Sequence, residues 1–415
     1  MSPWCEADRS GSLSRSLARS ERAAKVRAFL LVVPLILFLI VVFIGPVIAL
    51  LSRSVVDPEV SRSLPRTTQA LGAWDWGTPV PQAAYAALIE DLRAAKEPAD
   101  LAAAASRLNY ALPGMRSLMM STRAKLQREL DASDPQAALV AISPKWNQPE
   151  SWSAIRQANG PLTDFFLLSA LDLHKAPGGS ITSLPSSESA FLPSIQSTFV
   201  IAFGVTLLAM ACGFPFAYLM ASVSDRVAGL LMFAVLLPFM TATMVRILAW
   251  AIVLGREGVI NHGLLGLGIV GGPLDLMYNR TAVNIALLHI FVPYMVLPLY
   301  SVMKTVPQSH LRAAASLGAK PLTVFLRVYL PQVAPGLAAG ALLVFIQCVG
   351  VFVVPATLGG PGEIVLPVMI AQYVNKTLNW GLAAALSAVL LVSVYVLYWL
   401  FVALTKSASL SPSTR

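Results

Sequence analysis

Residues 309–335, SHLRAAASLGAKPLTVFLRVYLPQVAP, form a polar interruption between two long apolar segments of a 415-residue chain. The stretch reads as two short helices joined by a hinge. Leu311, Ala314 and Ala315 recur at helical spacing, and Gly318 then offers a left-handed stop. Pro321 suits the first position of a second helix, where its missing N–H costs nothing. Leu322, Phe325, Leu326 and Tyr329 fall at i, i+3, i+4 and i+7, which predicts one apolar face. Arg312, Lys320 and Arg327 keep the stretch polar, and Pro331 is expected to close it. Such a surface either lies in the membrane interface or is received by a partner's groove, and periodicity alone leaves both open.

Outward from this stretch the chain is too apolar for a soluble protein of its length. It is 56% hydrophobic and 12% charged, with a mean hydropathy of +0.69, which points to a polytopic membrane protein. A spanning helix needs about 20 mostly apolar residues. Six segments qualify: 26–52, 193–222, 227–254, 281–303, 333–357 and 382–404. The first exceeds the roughly 7–15 apolar residues of a cleaved signal sequence and reads as an uncleaved anchor.

The net charge of +9 would suit nucleic acid or an anionic surface, but its distribution argues for orientation instead. Arg9, Arg15, Arg19, Arg22, Lys25 and Arg27 precede or open the first span, and residues 1–25 read as a disordered basic tail. Arg226, Lys304, the three basic residues of the 309–335 loop, and Lys406 and Arg415 in a second tail, 405–415, lie on the same side. The alternate short loops carry mainly Arg256, Arg280 and Lys376. By the positive-inside rule both termini and the 309–335 loop are cytoplasmic. Cys5, Cys212 and Cys348 make no framework, so neither a disulfide nor a metal site is implied.

Between the first two spans lies an insertion, 53–192, placed outside by this topology. Tyr85, Leu88, Leu92 and Leu101, Ala104, Ala105, Leu108 have helical spacing, interrupted at Pro98, Pro113, Pro135 and Pro144. Trp146, Trp152, Phe165 and Phe166 add apolar bulk. A small, mainly helical subdomain packed on the membrane core is expected, without a catalytic constellation.

Gly204, Gly213 and Pro215 in the second span suit close helix packing and a kink. The six spans contain no Asp or Glu. Proton-coupled carriers use such carboxylates as relays, so an outside energy source is favoured over secondary transport. An Arg inside the bilayer costs on the order of 2.5–3.5 kcal/mol on insertion scales, so Arg246 faces a pore or a partner, or snorkels from a site near the outer end. His289 suits an interhelical hydrogen bond as well as a transport contact. Arg246, Asn284, His289, Gln347 and Phe352 are the candidate translocation-path residues.

The order Ala313-Ala314, Gly318, Val328-x-Leu330-Pro331 resembles the EAA loop of the ABC-importer permeases. That resemblance implies a coupling helix seated in a cytoplasmic ATPase, contacted through Leu311, Arg312, Ala313, Ala314, Gly318, Ala319, Val328, Leu330 and Pro331. Arg312 stands where the family usually carries Glu. Leu237-Pro238-Phe239, Val245-Arg246, Ala249-Trp250, Leu254-Gly255, Gly258, Ile260-Asn261, Pro293-Tyr294, Pro298-Leu299-Tyr300, Phe352-Val353-Val354-Pro355 and Leu358-Gly359-Gly360 resemble the spermidine/putrescine-type branch, which often has an acid where Val351 stands.

The resemblance implies an all-α fold of six transmembrane helices in a bacterial inner membrane, with 193–404 carrying the permease core. It implies alternating-access import of a small polar solute, a polyamine first and opine-like zwitterionic or anionic solutes as the alternative. The chain has no Walker loop, so it is not expected to be an enzyme or to bind a cofactor. ATP and Mg would be used by two ATPase subunits. A second permease chain, a periplasmic solute-binding protein and membrane lipid are the other expected partners, and nucleic acid is not. A remoter reading is a membrane anchor or sensor whose business is the insertion.

Overall fold

The computed structural model describes residues 25, 29–95, 97–126, 134–185 and 187–409, with 404–409 by backbone alone. Most of the basic tail, and the end of the second tail from 410, lie outside the described residues. Among the described residues, five helices are long and apolar enough to cross a membrane, or six if one sharply bent pair is a single span.

The first, α1 (Phe29–Ser52), forms a unit by itself and exposes Leu31, Phe38 and Phe43, as suits a helix made for lipid. It contains a wide turn at Ile40–Ile44, where the Gly45 N–H reaches back to the Ile40 carbonyl. Pro46 follows directly. Its ring would crowd the carbonyl four residues back, and the extra residue in the turn makes room.

The insertion is a run of short helices: α2 (Glu59–Ser63), α3 (Pro65–Ala70), α4 (Gln82–Ala94), α5 (Pro98–Ala111), α6 (Met115–Leu126), α7 (Pro135–Ile142), α8 (Pro149–Gln157) and α9 (Phe165–Ser169). A hairpin follows, β1 (Leu173–Lys175) against β2 (Ile181–Ser183), with His174 opposite Thr182. Pro98 and Pro135, expected as interruptions, open helices instead, at positions whose N–H is not needed. Trp146 and Trp152 are fully buried, and Tyr85 lies 4.6 Å from the Trp152 ring. Their polar edges are satisfied: Trp146 Nε1 donates to Thr122 Oγ1 at 2.9 Å and Trp152 Nε1 to the Trp146 carbonyl at 2.8 Å. Buried Asp91 accepts the Thr67 N–H and hydroxyl at 2.8 and 2.7 Å, which closes the start of α3.

The four large aromatics do not share one core. Phe166 belongs to a second cluster with Phe191, Leu366, Leu382 and Leu386. There its ring sits so close over Gly381 that no Cβ would fit. Periodicity could not separate the two sets, because the division depends on which helices meet. Buried Arg107 spans them: it pairs with Asp57 on one side, and its guanidinium lies 3.8 Å from the Phe165 ring centroid.

The insertion also caps the membrane core. Asp172, buried and with φ of +55°, accepts the N–H groups of Ala190, Phe191 and Leu192, the last at 2.7 Å. These are orphan donors at the start of α10 (Phe191–Ser222), where a negative charge also meets the positive end of the helix. Replacing Asp172 with Ala should cost about 1–2 kcal/mol, read as a lower thermal midpoint in detergent, and Asp172→Asn should recover part of it.

The core packs α10, α14 (Arg280–Thr305) and α16 (Pro321–Gly350) together. Gly213 of α10 and Gly340 of α16 both abut Met295 of α14, where an added Cβ would lie 2.7 Å from Cγ and 2.9 Å from Sδ. Lipid gives helices no hydrophobic reason to associate, so close backbone approach at small residues supplies the attraction.

The expected third span, 227–254, is not one helix. It comprises α11 (Asp225–Leu236), a tight turn at Leu237–Met240 and α12 (Thr243–Leu254), and α13 (Val259–Gly266) follows beyond it; the segments Asp225–Met240 and Thr243–Gly266 meet at a 97° bend. Pro238 lies in that tight turn, and Thr241 and Ala242 are extended. A hydropathy window averages across such a break.

The expected fifth span, 333–357, shifts as well. α16 begins at Pro321 and ends at Gly350, followed by α17 (Val353–Leu358) and α18 (Leu366–Asn375). The last helix, α19 (Trp380–Ser409), continues past the expected end at 404.

Candidate functional site

The 309–335 stretch forms a helix–turn–helix. α15 (Gln308–Ser316) ends in a Schellman turn: the Gly318 N–H donates to the Ala315 carbonyl at 3.0 Å and the Ala319 N–H to Ala314 at 3.2 Å. Gly318 has φ of +83°, a conformation in which a Cβ is strained even though nothing lies within 4 Å of where it would be. Leu317 beside it is 88% exposed at the tip.

Pro331 does not close the loop. The second helix is the start of α16 itself, which runs on from Pro321 through a wide turn at Phe325–Tyr329, where the Leu330 N–H reaches the Phe325 carbonyl. Pro331 follows this turn as Pro46 follows the one in α1, and the extra residue again accommodates the ring. It also splits the apolar face expected from the spacing. Tyr329 is buried and Phe325 half-buried against Met303 and Val333, whereas Leu322 and Leu326 are exposed.

The nine residues singled out here share one protrusion. Leu311, Ala314, Ala319, Val328 and Leu330 are half-buried, and Arg312, Ala313, Gly318 and Pro331 are exposed. His310 Nδ1 lies 3.0 Å from Gln332 Oε1, and Gln332 Nε2 donates to the Val328 carbonyl at 2.7 Å, so α15 is pinned to α16. Lys304 pairs with Asp225 at 2.6 Å, tying the end of α14 to the start of α11.

The candidate path residues are only partly brought together. Arg246 and Trp250 stand one turn apart on α12, and Trp250 Nε1 donates to His289 Nδ1 of α14 at 3.2 Å. Arg246 Nη2 donates to Thr243 Oγ1 at 3.0 Å, while its buried Nε has no partner among the described residues. Asn284 is directed toward Gly204 of α10, and its buried Oδ1 is also unpartnered. Gln347 and Phe352 are exposed, and no hydrogen bond or ring contact ties them to the Arg246 group. Trp250 is the member that the candidate set omitted, although it stands in the Ala249-Trp250 pair.

Two acids near the same elements are already neutralised. Arg256 meets both oxygens of Asp275, at 2.6 and 3.3 Å, and Arg280 meets Glu363 at 2.7 Å. The turn carrying Asp275 is fixed by buried Asn261. Asn261 Nδ2 donates to the Gly255 and Leu274 carbonyls at 3.0 Å, and its Oδ1 accepts the Leu274 N–H at 2.8 Å.

Apolar spanning helices around a protruding helix–glycine–helix loop define a membrane permease domain. Residues 213–409 match the family described as binding-protein-dependent transport system inner membrane component. Over 197 residues the chain is 34% identical to the spermidine/putrescine transport system permease protein PotB of Escherichia coli (strain K12), covering 47% of this chain and 72% of that protein. It is 31% identical to the molybdenum transport system permease protein ModB of Mycobacterium bovis, covering 51% and 78%. A bacterial alginate ABC transporter in complex with alginate pentasaccharide-bound periplasmic protein aligns at a TM-score of 0.48 and 15% identity, over 54% of this chain and 82% of that one. The chain belongs to the binding-protein-dependent inner-membrane permease family. It is the membrane permease component of an ABC importer.

Proposed function

We propose that this permease imports a polyamine, spermidine or putrescine, by alternating access driven from the 309–335 loop. The observation that carries the coupling part is the continuity of α16. A helix that starts inside the loop and ends at Gly350 transmits a displacement of the loop as a rigid body to its contacts with α10 and α14. On this reading the loop and both termini are cytoplasmic. Two ATPase subunits supply the displacement, a second permease chain completes the pathway, and a periplasmic binding protein delivers solute. The insertion faces the periplasm, and its Phe166 and Asp172 contacts brace the outer ends of α19 and α10.

Likeness to PotB supports the polyamine part. A dication crossing a low-dielectric path needs counter-charge or aromatic faces, and Asp275 and Glu363 are engaged by Arg256 and Arg280. The counter-charge therefore comes from the partner permease chain, with Trp250 offering a ring. A second reading, an opine-like or other anionic solute, is favoured by Arg246, whose Nε–H has no acceptor among the described residues and could donate to a carboxylate.

Labelled spermidine and putrescine should enter a strain carrying this chain with its partner subunits and should not enter the same strain lacking it. Excess unlabelled polyamine should abolish the signal. Competition by an opine-like solute and none by polyamine would move the assignment to the second reading.

A further inference from the structure

The charge on the loop is of one sign. Arg312, Lys320 and Arg327 are exposed, and among the described residues none of them has an intramolecular ion pair or hydrogen bond from its side chain. No Asp or Glu occurs between Asp275 and Glu363, so the loop carries no acid of its own. The surface of α15 also says what kind of partner it meets. Its one large apolar residue, Leu311, turns inward against the core, and Gln308, Ser309, His310, Arg312, Ala313, Ala315 and Ser316 are exposed, with the His310 ring held against Gln332. A helix lying in a lipid interface buries Trp, Phe or Leu there. α15 instead exposes no large apolar side chain: beside Gln308 and His310 it presents Ser309, Ala313, Ala315 and Ser316, small residues that let a protein wall approach closely around the single cation Arg312.

We propose that this loop is received by an acidic groove on the importer's ATPase subunit, with a carboxylate set against Arg312 and the exposed Leu317 seated at the groove's floor. The proposal rests on the coupling reading above and adds the charge of the partner surface. Three exposed cations on one loop, without an ion pair among the described residues, make association fast and salt-dependent when the facing potential is negative, and repulsive when it is positive. An ATPase whose groove is basic would therefore be rejected by this chain, so partner choice within a cell is set here by charge.

The test uses the full chain co-expressed with its ATPase subunit and purified in lipid nanodiscs. Wild type should retain the ATPase, and retention should fall as salt is raised from about 0.05 to 0.5 M, through the range where screening shortens to a few ångströms. Arg312→Glu should weaken ATPase binding about tenfold or more, with Arg312→Gln intermediate, at an unchanged thermal midpoint because Arg312 holds no contact in the fold. An acid-to-Lys change in the groove should restore binding to Arg312→Glu. Unaltered binding by Arg312→Glu, or binding indifferent to salt, overturns the acidic groove while leaving coupling intact. An Arg312→Glu effect that vanishes in neutral-lipid nanodiscs also overturns it, because the cation then serves anionic lipid. A wild-type chain that retains no ATPase at any salt defeats the coupling reading itself.

Discussion

Gly318→Val in the reconstituted importer is expected to lower solute uptake at least tenfold while ATP hydrolysis continues. The cause is backbone conformation and not space. Nothing lies within 4 Å of an added Cβ, but φ of +83° is a region a β-branched residue rarely adopts. The left-handed conformation costs a non-glycine residue about 1–2 kcal/mol, so the turn with Val relaxes toward other angles. The two hydrogen bonds from Gly318 and Ala319 then loosen, and α15 is no longer held at a fixed angle to α16. A motor that pushes on α15 would move the hinge and leave the spanning helices behind. Gly318→Asn is the control, since Asn tolerates the same conformation and should keep most of the transport. Uptake and hydrolysis measured together in proteoliposomes decide the matter. Full uptake by Gly318→Val would show that the turn is not the transmission.

Asp57→Ala should produce the largest loss of stability. Asp57 and Arg107 are each 3% exposed and paired, and removing the acid strands a guanidinium whose Nη1 already lacks a partner. Breaking such a buried pair from one side costs about 3–5 kcal/mol. For a segment of this size that corresponds to a fall in thermal midpoint on the order of 10 °C. The damage should not stay local, because Arg107 also stacks on Phe165, beside the Phe166 that packs against Gly381 of α19. Faster proteolysis within 54–190 should accompany the shift. Removing both charges, with Asp57→Leu and Arg107→Met together, should recover most of the loss, since an apolar pair needs no solvation. A change in midpoint within error for Asp57→Ala would remove the pair from any structural role.

Much of the fold follows from local physics and was legible residue by residue. The apolar runs locate the spanning helices because only a helix satisfies its own backbone in lipid. Gly318 and Pro321 announce a left-handed stop and a helix start because each has a conformational reason to be there. The acid-free spans follow from composition, and the loop motif carries the family. What local rules could not supply is whatever depends on a hydrogen bond shifting by one residue or on which elements meet.

The wide turns before Pro46 and Pro331 are of the first kind. A proline rule predicts an end, and the chain instead takes up one extra residue and continues, so the second half of the loop, from Pro321, and the spanning segment become one rod. The broken third span is similar, because hydropathy records apolarity and not direction. The separation of Trp146 and Trp152 from Phe166, the neutralisation of Asp275 and Glu363 by neighbouring arginines, and the joining of Trp250 with His289 are of the second kind.

The sequence by itself determined that this is a multi-span permease with a hinged, cationic loop, because hydropathy, glycine and charge act within a few residues. Only the tertiary structure decided how that loop is joined to the core and which charges remain free. Those outcomes depend on distances between residues far apart in the chain.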